Sequence, residues 1–402
     1  MDWYFYIAVT IILLQPVILW QAYYNYRYAK AKHKRPREGY RPRTILIVPC
    51  KDMDSNFEKN ITSFYNLDYE GYLLWFVVAE EADPAYGRLC KLKEKLAPNS
   101  KPEDVQIFVA GQGQYCSQKV HNLLYCYGKI TEDIEVMAFA DSDICVKSDW
   151  LSHLVYPLRQ PKHGAASGYR WFVPKKNNLA SLALSALNAK VAQQCGNSRF
   201  NQVWGGSMAI KVGTFRRLGL DKIWQKALSD DLSLSYAVKK AGLKVAFVPA
   251  CLVASHESTT WAGLLEFGRR QFLITRIGMP GTWWFGFFVC LYSILTLWGT
   301  AALALYAVKT HAQNANFFIL VPILLFLCQM AGAIMRQNII GKLLPDDKPK
   351  MRAAMVSDIF FFWLWSLLMF YLIVSSAFGR TIIWRGIGYK LISPTETVII
   401  SR

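Results

Sequence analysis

Apolar positions along the chain fall into four long runs around a patterned middle. Residues 4–24, 283–308, 317–335 and 355–378 stay apolar long enough to cross a hydrocarbon core of roughly 30 Å as helices of about 20 residues. No comparable run occurs between Lys30 and Arg270. There, short β-branched or aromatic runs alternate with segments of helical period. The spacing predicts strands at 44–48, 72–79, 105–110, 135–140, 165–173 and 244–248, and helices at 55–67, 84–96, 117–127, 179–194 and 231–241. Such alternation marks an α/β domain, a mostly parallel sheet wound with helices. Residues 259–278 set Trp261, Leu264, Leu265, Phe267, Phe272 and Ile274 among Arg269, Arg270 and Arg276. That pattern suits a helix in the membrane interface or an amphipathic helix packed on the domain.

The expected organisation is a transmembrane anchor at 1–26, a basic juxtamembrane linker at 27–43, a catalytic domain at 44–258, an interfacial helix at 259–282, transmembrane helices at 283–378 and a tail at 379–402. Composition agrees: 53% of the 402 residues are hydrophobic, more than an ordinary soluble core requires.

A net charge of +18 admits nucleic acid, anionic lipid or anionic small molecules as partners. Its distribution favours lipid headgroups, because Arg27, Lys30, Lys32, Lys34, Arg35, Arg37, Arg41 and Arg43 directly follow the first apolar run. No nucleic acid is expected, since these cations lack interleaved aromatics on a strand surface. Lys and Arg beside a membrane helix stay cytoplasmic, and residues 1–3 carry only Asp2, so the middle domain of this multi-pass protein is expected to face the cytosol. Four spans would then place the tail opposite the domain. Arg380, Arg385 and Lys390 in that tail argue instead for a re-entrant or interfacial last segment, unless the charge rule is broken here. Nine cysteines without a CxxC pair fit reduced thiols.

Ligands of wound α/β sheets bind beyond the carboxyl ends of strands, and those ends are acidic here. Glu80, Glu81 and Asp83 follow the second strand, and Asp141-Ser142-Asp143 follows the strand ending at Ala140. Carboxylates at i and i+2 leaving a strand can share a divalent cation, Mg²⁺ or Mn²⁺, that would neutralise a diphosphate leaving group; the alternative is a solvated turn. Ser229-Asp230-Asp231 opens a predicted helix, where Asp230 suits a cap and Asp231 is the candidate general base. Other nucleotide and hydrolase chemistries lack their motifs: there is no P-loop, Gly111-Gln112-Gly113 lacks a third glycine, and neither HExxH nor GxSxG occurs.

Taken in order, Pro49-Cys50-Lys51-Asp52-Met53-Asp54, Ala82-Asp83-Pro84-Ala85, Ser117-Gln118-Lys119-Val120-His121-Asn122-Leu123, Asp141-Ser142-Asp143, Gly205-Gly206-Ser207-Met208, Ser229-Asp230-Asp231, Arg269-Arg270-Gln271 and Ile383-Trp384-Arg385-Gly386 cover nearly the whole chain. In these pieces it resembles the ceramide glucosyltransferases and, more broadly, inverting family-2-type glycosyltransferases of GT-A fold. The resemblance implies a GT-A domain that moves a hexose, glucose above others, from a UDP-sugar to a ceramide-like or diacylglycerol hydroxyl. It implies that Asp83 contacts the uracil or ribose with Pro49 and Lys51 in the same pocket, and that Lys119 and Asn122 lie beside the nucleotide. Asp141 and Asp143 take the metal-holding places, Asp231 that of the base, and Gly205, Gly206 and Ser207 those of the acceptor loop. Arg269 and Arg270 fall in an RxxRW or QxxRW element near the diphosphate, Arg270 in its arginine place. Phe267 and Gln271 replace that element's first residue and its tryptophan, which argues against a processive polysaccharide synthase. A noncatalytic scaffold that binds nucleotide sugars is the other alternative.

Overall fold

The computed structural model describes residues 2–35, 37 and 39–401, with only the backbone of Asp2, Trp3 and Asn99. Met1, Pro36, Glu38 and Arg402, which belong to the expected anchor, linker and tail, lie outside the described residues. Helix α1 (Asp2–Lys32) precedes β1 (Thr44–Pro49), α2 (Phe57–Tyr65), β2 (Tyr72–Val78), α3 (Pro84–Leu96), β3 (Asp104–Val109), α4 (Gln118–Tyr127) and β4 (Val136–Ala140). Next come α5 (Trp150–Val155), β5 (His163–Pro174), α6 (Leu179–Ala192), β6 (Ser207–Lys211), α7 (Val212–Arg217), α8 (Leu220–Trp224), α9 (Asp230–Lys240) and β7 (Lys244–Glu257).

These strands form a seven-stranded sheet ordered β3-β2-β1-β4-β6-β5-β7, parallel except for β6, which runs antiparallel to β4 and β5. The expected α/β class is therefore what forms. Successive residues face opposite sides of a strand, so Leu46, Val48, Leu74 and Phe76 enter one core while Ile45, Ile47, Trp75 and Val77 enter the other. Both faces are covered, which is why β1 and β2 read as unbroken apolar runs. The strand β6 was not predicted. The carboxyl ends of β1, β2 and β4 lie on one edge of the sheet because the three run parallel.

Beyond the sheet lie α10 (Trp261–Gly278), α11 (Pro280–Ile294), α12 (Thr300–Lys309), α13 (Ala315–Leu343), α14 (Arg352–Phe360) and α15 (Phe362–Ser375). Among the described residues, Tyr4–Lys32, Pro280–Lys309 and Ala315–Leu343 are long and apolar enough to cross a membrane. The fourth apolar run is not one straight helix: α14 and α15 meet at 84°. Lys190 holds that corner, its Nζ donating to the Phe362 carbonyl at 3.1 Å and the Ser366 hydroxyl at 2.6 Å. Helix α10 packs closely on α15, since a Cβ on its Gly268 would lie 2.6 Å from Leu372.

The tail folds into an antiparallel sheet of β8 (Thr381–Trp384), β9 (Ile387–Ser393) and β10 (Glu396–Ser401). Its Ile382, Tyr389 and Leu391 bury against Leu228 and Leu273, and Thr397 N–H donates to the Lys226 carbonyl at 2.8 Å. The tail thus packs on the domain of the large sheet, a placement that the expected re-entrant last segment allows and four straight spans do not.

The basic linker is also partly drawn inward. Helix α1 carries its first residues as far as Lys32; Arg37 lies over the Tyr156 ring at 4.9 Å, and Arg43 pairs with Glu103 at 2.9 Å and Asp133 at 3.0 Å. Arg27, Lys30, Lys34 and Arg35 remain exposed. All nine cysteines are free thiols.

Candidate active site

The edge formed by β1, β2 and β4 opens into a cavity of ≈ 1670 Å³ that continues between the apolar helices. Its polar end is built from four loops. After β1, Asp52 adopts a left-handed backbone with φ 57°. Its N–H donates to Asp83 Oδ1 at 3.0 Å, and the same oxygen caps α3 by accepting from Ala85 N–H at 2.9 Å. Asp83 thereby ties the ends of β1 and β2 together, leaving Pro49 and Lys51 on the cavity wall.

Helix α4 is capped by Ser117, whose hydroxyl accepts from Val120 N–H. That cap sets Lys119 in the first turn, pointing at two acids: its Nζ lies 2.7 Å from Asp141 Oδ1 and 3.0 Å from Asp230 Oδ2. Burial alone would lower the Lys119 pKa, but the charges of Asp141, Asp230 and Asp231 outweigh it and raise it well above the usual value. For Asp141 burial pulls upward, and Lys119 more than reverses it, so its carboxyl titrates below its ordinary range. Asn122, one turn along, also faces the cavity and accepts from Gln118 at 2.8 Å.

Asp230 and Asp231 occupy the first turn of α9, where the helix dipole favours carboxylates. The cap is Ser229 rather than Asp230, with its hydroxyl accepting from Leu232 N–H at 3.1 Å. Asp230 is buried against Lys119, and burial pushes its carboxyl up to about 6. Asp231 is fixed by its surroundings: Oδ2 accepts from Gly205 N–H at 3.0 Å, and Oδ1 accepts from Leu232 N–H at 2.7 Å and from the Ser229 hydroxyl. The Gly205-Gly206 loop crosses directly over these acids. A Cβ at Gly206 would lie 2.3 Å from the Trp204 ring and 2.7 Å from Asp141 Oδ2, so only glycine fits.

Not every expected residue reaches the cavity. Asp83 stands behind its wall as a brace, and Ser207 is buried beneath it, accepting from Trp150 Nε1 at 3.0 Å because β6 turns that side chain into the core. Arg269 points away and donates to the carbonyls of Ser375 and Phe378 at 3.3 and 3.1 Å. Arg270, on the opposite flank of α10, does line the cavity.

Two further cations stand there: Arg170 of β5, stacked over Phe172 at 4.7 Å and Trp204 at 5.6 Å, and Arg385 of the β8–β9 turn. Neither was singled out from the sequence. A cation inside the otherwise apolar strand at 165–173 was a usable signal for Arg170; Arg385 lay in a matching motif, but nothing local tied it to the acids.

A family model described as Glycosyl transferase family 21 matches residues 6–397. The chain belongs to glycosyl transferase family 21. Among solved structures, a mannosyltransferase from Pyrobaculum calidifontis in complex with GDP-Man and Mn²⁺ aligns at 16% identity and TM-score 0.44, over 92% of this chain and 97% of that one. GalNAc-T7 with UDP, GalNAc and Mn²⁺ aligns at 13% identity and TM-score 0.38, over 56% of this chain and 47% of that one.

In this family 21 glycosyltransferase, Asp143 opens to the cavity, yet desolvation by the surrounding walls pushes its carboxyl up to about 6, with the Asp141 charge adding to the shift. Unfolded, it would titrate near ~4. A folded-state pKa raised in this way contributes stability in full below the unfolded value and loses it as pH rises through 6. Asp143→Asn removes that loss. Without added metal, the variant is expected to melt about 1–2 °C above the native protein at pH 7.5, and level with it at about pH 3.5, the small size reflecting solvent screening. Native protein melting higher at pH 7.5 would sink this account.

Proposed function

We propose that the protein transfers a hexose, glucose foremost, from a UDP-sugar to the hydroxyl of a membrane lipid of ceramide or diacylglycerol type, with inversion at the anomeric carbon. The observation that carries this reading is the continuity of one cavity. Lys51, Lys119, Asp141 and Asp231 line its polar end, whereas Leu14, Val17 and Ile18 of α1 and Met369, Leu372 and Ile373 of α15 line the other. A water-soluble donor and a lipid acceptor meet where the two ends join.

In this reading Asp231 is the general base, its Oδ2 keeping a lone pair free beside the Gly205 bond for the acceptor hydroxyl's proton. Pro49, Lys51, Lys119 and Asn122 bound the nucleotide pocket, and Arg270 faces the diphosphate. Asp141 and Asp143 would hold Mg²⁺ or Mn²⁺. Among the described residues no cluster of three or more His, Cys, Asp or Glu side chains closes around an ion. Two carboxylates suffice when phosphate oxygens and water complete the shell, which is how such ions accompany nucleotides. The ion would offset charge developing on the leaving diphosphate. In this reading the three long apolar helices each cross the membrane and the catalytic domain lies on the cytosolic side, where exposed Arg27, Lys30, Lys34 and Arg35 meet anionic headgroups.

The test is transfer by purified protein in detergent, crossing UDP-sugars with ceramide, diacylglycerol and polyprenyl phosphate acceptors. The expected outcome is a glycolipid product lost on chelation; nucleotide release without glycolipid under every pairing would overturn the reading.

A further inference from the structure

We infer that the C-terminal sheet completes the donor site, its β8–β9 turn delivering Arg385 as a ligand of the donor's diphosphate beside Arg170 and Arg270. The inference rests on the donor reading above and adds to it a residue from the far end of the chain.

The first observation is convergence. Arg170 from β5, Arg270 from α10 and Arg385 from the tail are separated by about a hundred residues each, yet all three line the cavity. They are near enough for Arg170 and Arg385 to act electrostatically on Arg270, and on Asp141 across from it. Three like charges gathered on one wall repel one another, and an anion between them removes the penalty. Arg385 makes no hydrogen bond or ion pair among the described residues. A guanidinium left with its fork free beside two others matches a diphosphate, which accepts paired N–H donors.

The second observation is backbone strain. Arg385 and Gly386 have φ of 51° and 83°, the two successive positive values that a tight two-residue hairpin turn requires. Glycine or asparagine ordinarily fills such positions, and a long cationic side chain is strained there. The turn therefore keeps Arg385 against its local preference.

The third is anchoring. The tail sheet is docked through Ile382, Tyr389 and Leu391 onto Leu228, the residue before the Ser229 cap of α9. Arg385 and Asp231 are thus positioned by one packing unit, which sets the distance between the donor phosphates and the base.

Full-length protein in detergent is titrated calorimetrically with UDP and with UMP in the presence of Mn²⁺. Arg385→Gly removes the guanidinium while relieving the positive φ, so its melting temperature without nucleotide should match or exceed that of the native protein. UDP affinity is expected to fall about 10–100-fold, the equivalent of losing charged hydrogen bonds, with UMP changed less than about 2-fold and Arg385→Lys intermediate for UDP. An unchanged UDP curve, or an equal fall for UDP and UMP, would overturn the inference while leaving the donor reading in place. Native protein that does not bind UDP would overturn the donor reading and this inference with it.

Discussion

Asp231→Asn is expected to lower the rate of sugar transfer by about 10²–10⁴-fold while leaving UDP affinity within about 2-fold. Asparagine keeps the shape of the side chain, and its single carbonyl oxygen can still accept from Gly205 N–H or Leu232 N–H, the bonds that place the loop and the helix start. It cannot take a proton from an attacking hydroxyl. The loss therefore belongs to the chemical step rather than to donor binding, and single-turnover transfer beside calorimetric UDP binding separates the two. Asp230 provides the contrast. It is buried and bonded to Lys119, which also holds Asp141, so Asp230→Asn acts on how the cavity floor is assembled and should weaken UDP binding as well as turnover. Transfer by Asp231→Asn within tenfold of native would remove Asp231 from the role of base.

What the sequence makes legible here follows from how local each signal is. Strands β1, β2 and β4 announce themselves because both faces are buried, and the acidic ends of β2 and β4 follow at once. Strand β6 does not: Ser207–Lys211 is short and directly follows the two glycines needed by the loop above the acids, so the stretch reads as turn. The tail escapes for another reason. Thr381–Trp384 and Glu396–Ser401 are short alternating pieces, and a small sheet gains stability only from the surface that Leu228 and Leu273 present. Arg385 could not be read as part of the site before that docking was known. Ser207 and Arg269 fail in the opposite direction. They sit in matching motifs, but the pleat of β6 and the turn of α10 send them away from the cavity that their neighbours Gly206 and Arg270 line. The 84° corner between α14 and α15 likewise has no proline or glycine to announce it; what fixes the start of α15 is Lys190, distant in sequence, bonded to the Phe362 carbonyl and the Ser366 hydroxyl.

That corner leads to the largest stability effect expected. Asp358 of α14 is fully buried and Arg336 of α13 is 6% exposed. They form a fork-to-fork pair, Nε to Oδ2 at 2.6 Å and a terminal nitrogen to Oδ1 at 2.5 Å. Gln337 donates to the same carboxylate at 2.7 Å, and Arg336 reaches Gln193 Oε1 at 3.2 Å, so both carboxylate oxygens and all three guanidinium nitrogens are engaged. Removing one charge leaves the other buried without a partner, which costs about 3–5 kcal/mol, whereas replacing both by apolar side chains of similar size is often neutral. Asp358→Ala is therefore expected to lower the melting temperature in detergent by roughly 5 °C, and Arg336→Met combined with Asp358→Leu to restore most of it. Asp346→Ala, at an exposed carboxylate nearby, should change it by less than about 1 °C. Because Arg336 also lines the cavity and the pair joins α13 to the helix before the corner, Asp358→Ala should raise the acceptor KM more than the donor KM. Equal melting of Asp358→Ala and Asp346→Ala would show that the pair does not hold the bundle. A double variant as unstable as the single would show that packing volume, rather than the unpaired Arg336 charge, sets the cost.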